Sequence, residues 1–163
     1  MTIQDKMQVV EVPRGERTYL EPILEESFEG WYLRHAKGIL RDVETVRVAM
    51  NSGEPLGLIM VKKIDQNIGY VYYIAVSRAH RKTGVASLLL KDALDHFRAS
   101  GVVEVFASFE EDNMPSEKLF ESNGFARTTF NEVSSRHGTL RALNMYRMMV
   151  VVPGEVLTHK SLE

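Results

Sequence analysis

A cluster of basic residues stands immediately before a glycine and a leucine-rich segment within Val76–Leu90. The start of a helix leaves its first N–H groups without intrahelical acceptors, and the helix dipole adds partial positive charge there. An anion binds well at such a point, particularly where the preceding turn brings bare backbone close to the ligand. Gly84 permits that approach, Ala86 keeps the next turn small, and Arg81 and Lys82 add positive charge. The stretch therefore predicts a cradle for a diphosphate, with an ordinary solvated turn as the alternative.

Other familiar chemical motifs are missing from the sequence. Neither GxxxxGK[ST] nor GxGxxG occurs, so the cradle is neither a Walker A loop nor a Rossmann fingerprint. The five histidines show no metal-ligand spacing, and the absence of cysteine excludes disulfides, thiolate metal sites and a cysteine nucleophile. We therefore predict no metal site. The acidic stretch Glu110–Asp112 is either a solvated turn or a site that attracts a cationic amine.

Composition limits the class of protein. The chain has 163 residues, 44% of them hydrophobic and 26% charged, with a net charge of −2. Such a balance predicts a globular protein without a general attraction to nucleic acid or to anionic membranes. No apolar run approaches the roughly 20 residues that span a bilayer, and the N-terminus lacks the apolar core of a signal peptide. We expect a cytoplasmic protein with a single domain over residues 1–153 and a flexible tail over residues 154–163.

Apolar periodicity and turn residues predict the elements that position the basic loop. Helices are predicted for Glu16–Phe28, for Trp31–Leu40, after Gly84, where apolar residues recur at helical spacing up to Phe97, and from Met114 to Asn123-Gly124. Strands are predicted at Met7–Val12, Thr45–Met50, Leu56–Lys63, Tyr70–Val76, Val102–Phe109, Phe125–Val133 and Leu140–Val152. The order indicates an α/β domain of the α+β type, with four helices packed on a mixed, mostly antiparallel sheet of about seven strands.

Two motifs within this order resemble those of the GCN5-related N-acetyltransferase (GNAT) family. Arg81–Ala86 fits R-x-x-G-x-A, the family's acetyl-CoA pyrophosphate loop, and it follows a strand and precedes a helix as it does there. About thirty residues later, Asn113–Phe125 resembles the second motif, a helix that ends in N-G-F. The resemblance is specific over Tyr70–Phe125 and topological elsewhere. It implies the GNAT fold and binding of acetyl-CoA, with CoA as the product.

The resemblance also implies how the cofactor is held, largely by main chain. In the family the fourth and fifth strands splay apart, and pantetheine lies in the gap as an additional strand. One N–H near Val76 would face the thioester oxygen. The backbone from Lys82 to Ser87 would hold the pyrophosphate, and the Asn113 side chain would bind the pantetheine arm. The cofactor-binding residues so implied are Ile74, Ala75, Val76, Arg81, Lys82, Thr83, Gly84, Val85, Ala86, Ser87, Asn113, Ser116 and Phe120.

The catalytic positions of the family are altered in this chain. Many relatives carry a tyrosine seven residues after the asparagine as the proton donor to the thiolate, and that position is Phe120 here. Relatives that place a glutamate base on the fifth or fourth strand have it where this chain has Ser108 or Tyr70. The candidates that remain for a base acting through water are Tyr72 and Glu110, followed by Tyr73, Glu104 and Glu111.

Three functions from different classes agree with these residues. The first is an acetyl-CoA-dependent N-acetyltransferase in which an amine attacks bound acetyl-CoA directly, without a covalent enzyme intermediate. The second is a CoA-binding sensor or regulator with weak or no catalysis. It stays open because Phe120 and Ser108 stand where relatives carry the acid and a base. The third, a nucleic-acid-binding domain, is disfavoured by the net charge. The amine acceptor, a small molecule or a protein, is left open, as are the general acid and base and a homodimer.

Overall fold

The computed structural model of the protein describes residues 7–163. Within that range lie seven strands and six α-helices, together with 3-10 turns at Thr18–Leu20 and Arg78–His80. The strands are β1 (Gln8–Glu11), β2 (Thr45–Asn51), β3 (Glu54–Asp65), β4 (Ile68–Val76), β5 (Glu104–Glu110), β6 (Ala126–Thr128) and β7 (Glu155–Ser161). The helices are α1 (Glu21–Ser27), α2 (Gly30–Asp42), α3 (Val85–Ala99), α4 (Met114–Ser122), α5 (Phe130–His137) and α6 (Thr139–Met149).

Hydrogen bonding orders the strands β1-β2-β3-β4-β5-β7-β6. The pairs β1–β2, β2–β3, β5–β7 and β6–β7 are antiparallel, whereas β4 and β5 are parallel. Parallel neighbours need a crossover connection, and α3 supplies it between β4 and β5. The prediction of a mixed, mostly antiparallel sheet of about seven strands is confirmed. The described residues form six helices instead of the expected four.

Residues 7–62 and 72–96 belong to one compact unit. Its core joins the 3-10 turn Thr18–Leu20 and the apolar sides of α1 and α2 to buried residues of β2 and β3. The core residues include Leu20, Leu24, Ala36, Leu40, Val46, Val48, Leu58 and Met60. Arg17 is 4% exposed, and its side chain donates to the carbonyl oxygens of Val12, Leu40 and Val43 at 3.0, 3.0 and 2.7 Å. Arg17 therefore fixes the end of α2 against the segment that follows β1.

Residues 63–71 and 97–163 belong to a second compact unit. Here β5 lies between the first residues of β4 and strand β7, with Ile68–Val71 in register with Glu104–Ala107. Gly69 allows β4 to pack closely against the Phe97 ring, since a Cβ built at this position would lie 2.6 Å from Cε1 of Phe97. The expectation of a single domain over residues 1–153 remains a prediction.

The predicted secondary structure is wrong after residue 128. The expected strand Phe125–Val133 shrinks to β6, and α5 begins immediately after Thr129, whose hydroxyl accepts from the N–H of Glu132 at 3.2 Å. This Thr-x-x-Glu spacing is a helix-start signal that the strand assignment overlooked. The expected strand Leu140–Val152 is instead mostly α6, which buries Ala142, Met145 and Met149 at helical spacing.

Residues 154–163 were expected to be a flexible tail, and this is also wrong. Glu155–Ser161 form strand β7, which is paired with β5 on one side and with β6 on the other. Val156, Leu157 and Thr158 are buried in it. Pairing along both edges satisfies the backbone of this segment, so that the chain remains extended.

Within residues 7–163, every helix falls short of the length and apolarity that a bilayer span requires.

Candidate functional site

The loop between β4 and α3 has an unusual backbone. Arg81 is extended, whereas Lys82 and Gly84 have φ of 63° and 86°. Left-handed residues in a turn let successive N–H groups point to one side, which produces a concave anion-binding surface. A lysine with positive φ is uncommon, because this backbone conformation costs conformational energy in a residue with a Cβ. Such conformations cluster at ligand-binding and active sites. The loop therefore has the backbone geometry of an anion-binding turn, and its binding of a diphosphate stays a prediction.

Helix α3 begins directly after Gly84 and runs for 15 residues. The N–H of Leu88 bonds to the carbonyl of Gly84 at 3.0 Å, which marks the first turn. This first turn carries no acidic residue, so nothing there offsets the positive end of the helix dipole. Val85, Leu89 and Leu90 are buried, which fixes the helix start in position. The N-terminus of α3 is thus a rigid and electropositive end.

The side chains of the loop mainly hold its own backbone in place. Arg81 donates to the carbonyl oxygens of Val76 at 3.3 Å and Glu26 at 2.8 Å. The Thr83 hydroxyl donates to the His80 carbonyl, and the Nδ1 atom of His80 lies 2.7 Å from Oγ of Ser77. Arg81 was expected to contribute charge to the cradle. It also ties the loop to the end of α1, a role that the sequence did not indicate.

The end of β4 leads into this loop through Ile74, Ala75 and Val76. Ala75 is buried, and a Cβ built at Gly57 of β3 would lie 2.8 Å from its carbonyl oxygen. Gly57 thus lets β3 and β4 approach closely at this point. The parallel register of β4 with β5 ends at the pair Val71↔Ala107, whereas β4 itself continues to Val76.

The second predicted segment lies in the other compact unit. Asn113 caps α4, and its side chain accepts from the N–H of Ser116 at 3.2 Å. The Asn113 side chain is therefore a helix cap, and contact of Asn113 or Ser116 with a cofactor stays a prediction. Phe120 is 6% exposed, and its ring packs against Phe109 and Phe125 at centroid distances of 5.9 and 5.1 Å. At this position the chain has an apolar packing residue that carries no ionisable proton.

The two leading base candidates lie in different environments. Tyr72 is half-buried in the first unit, and burial raises the pKa of its phenol, so that it stays protonated at neutral pH. Glu110 is exposed at the end of β5 in the second unit, where its carbonyl accepts from the N–H of Asn113 at 2.9 Å. Tyr70 and Ser108 occupy positions where relatives place glutamates, and their hydroxyl oxygens lie 2.5 Å apart.

Glu104, a further base candidate, is held by a polar cluster of its own. Glu104 is 7% exposed, and its carboxylate accepts two hydrogen bonds from Arg136, at 3.1 and 2.7 Å. His137 and His159 add contacts at 3.0 and 2.7 Å. Burial alone would raise the pKa of Glu104, but these hydrogen bonds outweigh it and hold the pKa below its usual value. A carboxylate so engaged is a structural anion rather than a base.

An aromatic and imidazole cluster beside the end of β4 was not anticipated. Nδ1 of His35 lies 2.7 Å from Oη of Tyr73, and the ring of Trp31 stacks on His35 at 4.8 Å and 8°. Phe28 meets the Tyr73 ring edge-on at 5.0 Å. The spacing of Trp31 and His35, four residues apart on a helix, is the signal that could have paired them.

Among residues 7–163, no group of three or more His, Asp or Glu side chains is arranged to hold a metal ion.

Solved structures identify the fold. The chain is similar to Ard1 from Thermoplasma volcanium, with a TM-score of 0.73 and 17% identity over 97% of this chain and 99% of that chain. A GNAT family acetyltransferase from Elizabethkingia anophelis, crystallised with acetyl-CoA, gives a TM-score of 0.71 and 14% identity over 97% and 99% of the two chains. At such identities the likeness shows the fold alone, which is that of the acetyltransferases.

Sequence comparison gives the family. The family model described as Acetyltransferase (GNAT) family matches residues 9–125, which is more than half of the chain, so this protein belongs to that family. Mycothiol acetyltransferase from Thermobispora bispora is 35% identical over 72 residues, which make up 44% of this chain and 24% of that protein. The matched segments span about a quarter of the length of the curated relatives. The resemblance drawn from the two motifs is confirmed.

Proposed function

We propose that this protein is an acetyl-CoA-dependent N-acetyltransferase that moves the acetyl group to a primary amine by direct attack. The observation that carries the proposal is the left-handed turn at Lys82 and Gly84, set against the start of α3. The family model covers this turn within residues 9–125. Acetyl-CoA bound to a family member of the same fold supports the choice of cofactor.

In the proposal, main-chain N–H groups from Lys82 to Ser87 bind the cofactor diphosphate. Three features support this assignment: the left-handed turn, the helix dipole and a first turn without acidic residues. The hydrogen bonds of Arg81 to Val76 and Glu26 keep the turn in its binding shape before the ligand arrives. Asn113 and Ser116 remain proposed contacts of the pantetheine arm, on the family motif alone.

The backbone of Ile74–Val76 is the proposed seat of the thioester. The amine nitrogen attacks the thioester carbon, a C–N bond forms, the nitrogen gives up one proton to a base, and the C–S bond breaks to release CoA thiolate. An N–H aimed at the oxyanion of the intermediate is worth about 3 kcal/mol. The thiolate takes its proton from water, since Phe120 has none to give. Because a thiol has a pKa of about 8.5, its thiolate is a good enough leaving group to depart without a general acid.

The experiment has two arms, one for binding and one for turnover. Calorimetry with the full chain compares CoA with pantetheine, which lacks the diphosphate, and we expect CoA to bind far more tightly. Release of free thiol from acetyl-CoA is then followed with a panel of amines that includes amino acids, polyamines, aromatic amines and peptides with free N-termini. Thiol release that depends on one class of amine supports the proposed N-acetyltransferase activity and identifies the class of its acceptor.

The alternative is a sensor that binds CoA without efficient catalysis. The apolar packing of Phe120, in the place of the usual acid, is the observation that favours it. Tight binding of CoA without amine-dependent thiol release, across the whole panel, would favour this alternative. A folded chain with no affinity for CoA would refute both functions.

A further inference from the structure

We propose that Tyr73 accepts the proton of the attacking amine and that His35 positions its phenol and receives the phenolic proton in turn. The inference rests on the proposed acetyl transfer and names the base for it. Sequence reasoning left several candidates for this role. The His35–Tyr73 contact, between residues 38 positions apart in the chain, is what singles out this pair.

Strand geometry places Tyr73 next to the proposed reaction centre. It directly precedes Ile74–Val76 in β4, and it shares a strand face with Ala75 because side chains alternate along a strand. Tyr73 packs against the core that α1 and α2 form in this unit. The phenol therefore lies on the same strand segment that the proposed thioester follows. It faces a wall made by the first two helices.

The imidazole of His35 is held in a defined orientation. The Trp31 ring stacks on one face at 4.8 Å, and the Tyr73 ring meets it at a centroid distance of 5.7 Å. Phe28 packs edge-on against Tyr73 at a centroid distance of 5.0 Å. These aromatic contacts fix both partners, so that the short Nδ1···Oη hydrogen bond does not depend on a mobile side chain.

Protonation of the pair suits a base. Burial lowers the pKa of His35 from its ordinary value of about 6.5, so the imidazole is neutral at pH 7 and above. A neutral imidazole with the proton on Nε2 accepts the Tyr73 O–H at Nδ1, and in the proposed step the phenol oxygen accepts a proton from the amine as it passes its own to Nδ1. Charges on the neighbouring helices are paired: Lys37 lies 3.0 Å from Glu25, and Glu26 binds the Arg81 loop. Arg34 and Glu29 are exposed to solvent.

The proton balance of the step is simple. As the C–N bond forms, the amine proton moves to Oη of Tyr73 while the Tyr73 hydroxyl proton moves to Nδ1 of His35. The C–S bond then breaks, CoA leaves as thiolate and is protonated by water, and the imidazolium returns its proton to solvent. The net reaction converts amine and acetyl-CoA into amide and CoA. Tyr73 is the catalytic residue in this scheme, and His35 is a positioning residue.

The test uses the full chain and the amine that gives the fastest thiol release. Tyr73→Phe keeps the ring contacts and removes only the hydroxyl, so we expect kcat to fall by roughly 10²-fold while CoA affinity in the calorimeter is unchanged. His35→Gln removes the titrating group. We therefore expect the fall in kcat at acid pH, which the lowered pKa of His35 places below the ordinary histidine value, to disappear, together with a lower plateau. Tyr32→Phe, which removes a hydroxyl from the ring beside Trp31, is the matched control and should match the wild type.

The outcomes separate the relay from the proposed function. An active wild type whose Tyr73→Phe variant retains full kcat overturns the relay alone, and so does an acid limb that persists in His35→Gln. A wild type without turnover on any amine overturns the proposed function and the relay with it. Unchanged CoA affinity shows that each variant is folded, and if His35→Gln fails to fold, Tyr73→Phe still decides the question.

Discussion

Replacing Gly84 by alanine tests the cradle most directly. Gly84 has φ of 86°, a conformation that costs an L-residue about 1–2 kcal/mol. When the cofactor is absent, an alanine at this position relaxes out of that conformation and distorts the turn. To bind CoA, the variant must then restore the turn, and the cost appears as lost affinity. Since about 1.4 kcal/mol is a factor of ten, we expect CoA binding to weaken by roughly 5–30-fold.

The chain contains a control with the same dihedral angle. Gly101 also has φ of 86°, and a Cβ built there would meet nothing within 4 Å. It ends α3 in a Schellman arrangement, in which the N–H of Val102 bonds to the carbonyl of Phe97 at 3.0 Å. Gly101→Ala should lower the free energy of unfolding by about 1–2 kcal/mol without changing the affinity for CoA.

Calorimetric titration with CoA and urea unfolding of both variants supply the measurements. We expect the affinity for CoA to fall in Gly84→Ala and to stay unchanged in Gly101→Ala. The free energy of unfolding should fall in Gly101→Ala. Native affinity in a folded Gly84→Ala protein, alongside the expected destabilisation of Gly101→Ala, would refute the reasoning that this turn is the diphosphate site.

Three further predictions concern stability and are checked by urea unfolding. Glu104→Gln should lower the unfolding free energy by about 3 kcal/mol at pH 7, because it weakens a buried charge cluster. Since the folded-state pKa of Glu104 is depressed, the wild type should lose this advantage as the pH falls below about 4.3, and a difference constant down to pH 3 would contradict the assignment. Arg17→Lys should cost about 2–3 kcal/mol by leaving buried carbonyls without a donor, and an unchanged midpoint would contradict this. Gly57→Ala should cost about 1–3 kcal/mol because its Cβ would meet the Ala75 carbonyl oxygen at 2.8 Å, and a stability equal to that of the wild type would show that β3 and β4 separate easily.

The central part of the fold could be predicted from the sequence because its signals are local. The aromatic and β-branched run of β4, the glycine before α3 and the apolar spacing along that helix all act within a few residues. The same holds for Asn113 at the start of α4. The family motifs fall on these elements, so the position of the basic loop between a strand and a helix could be predicted without the structure.

The secondary structure at the end of the chain was predicted less well from the sequence, because it depends on partners that are distant in sequence. β-strand propensity mainly measures how a residue packs on a half-buried surface, so the apolar residues of α6 gave the wrong assignment. Strand β7 exists because β5 and β6 offer two edges to pair with. Neither edge is close to it in sequence.

The sequence by itself determined the family, the place of the basic loop between a strand and a helix, and the order of elements around it, since turn residues and helix periodicity are properties of short segments. Only the tertiary structure decided that His35 meets Tyr73 and that Arg136 and two histidines surround Glu104. These contacts join residues 32 to 55 positions apart. Side-chain chemistry at that separation is set by how the helices and strands pack.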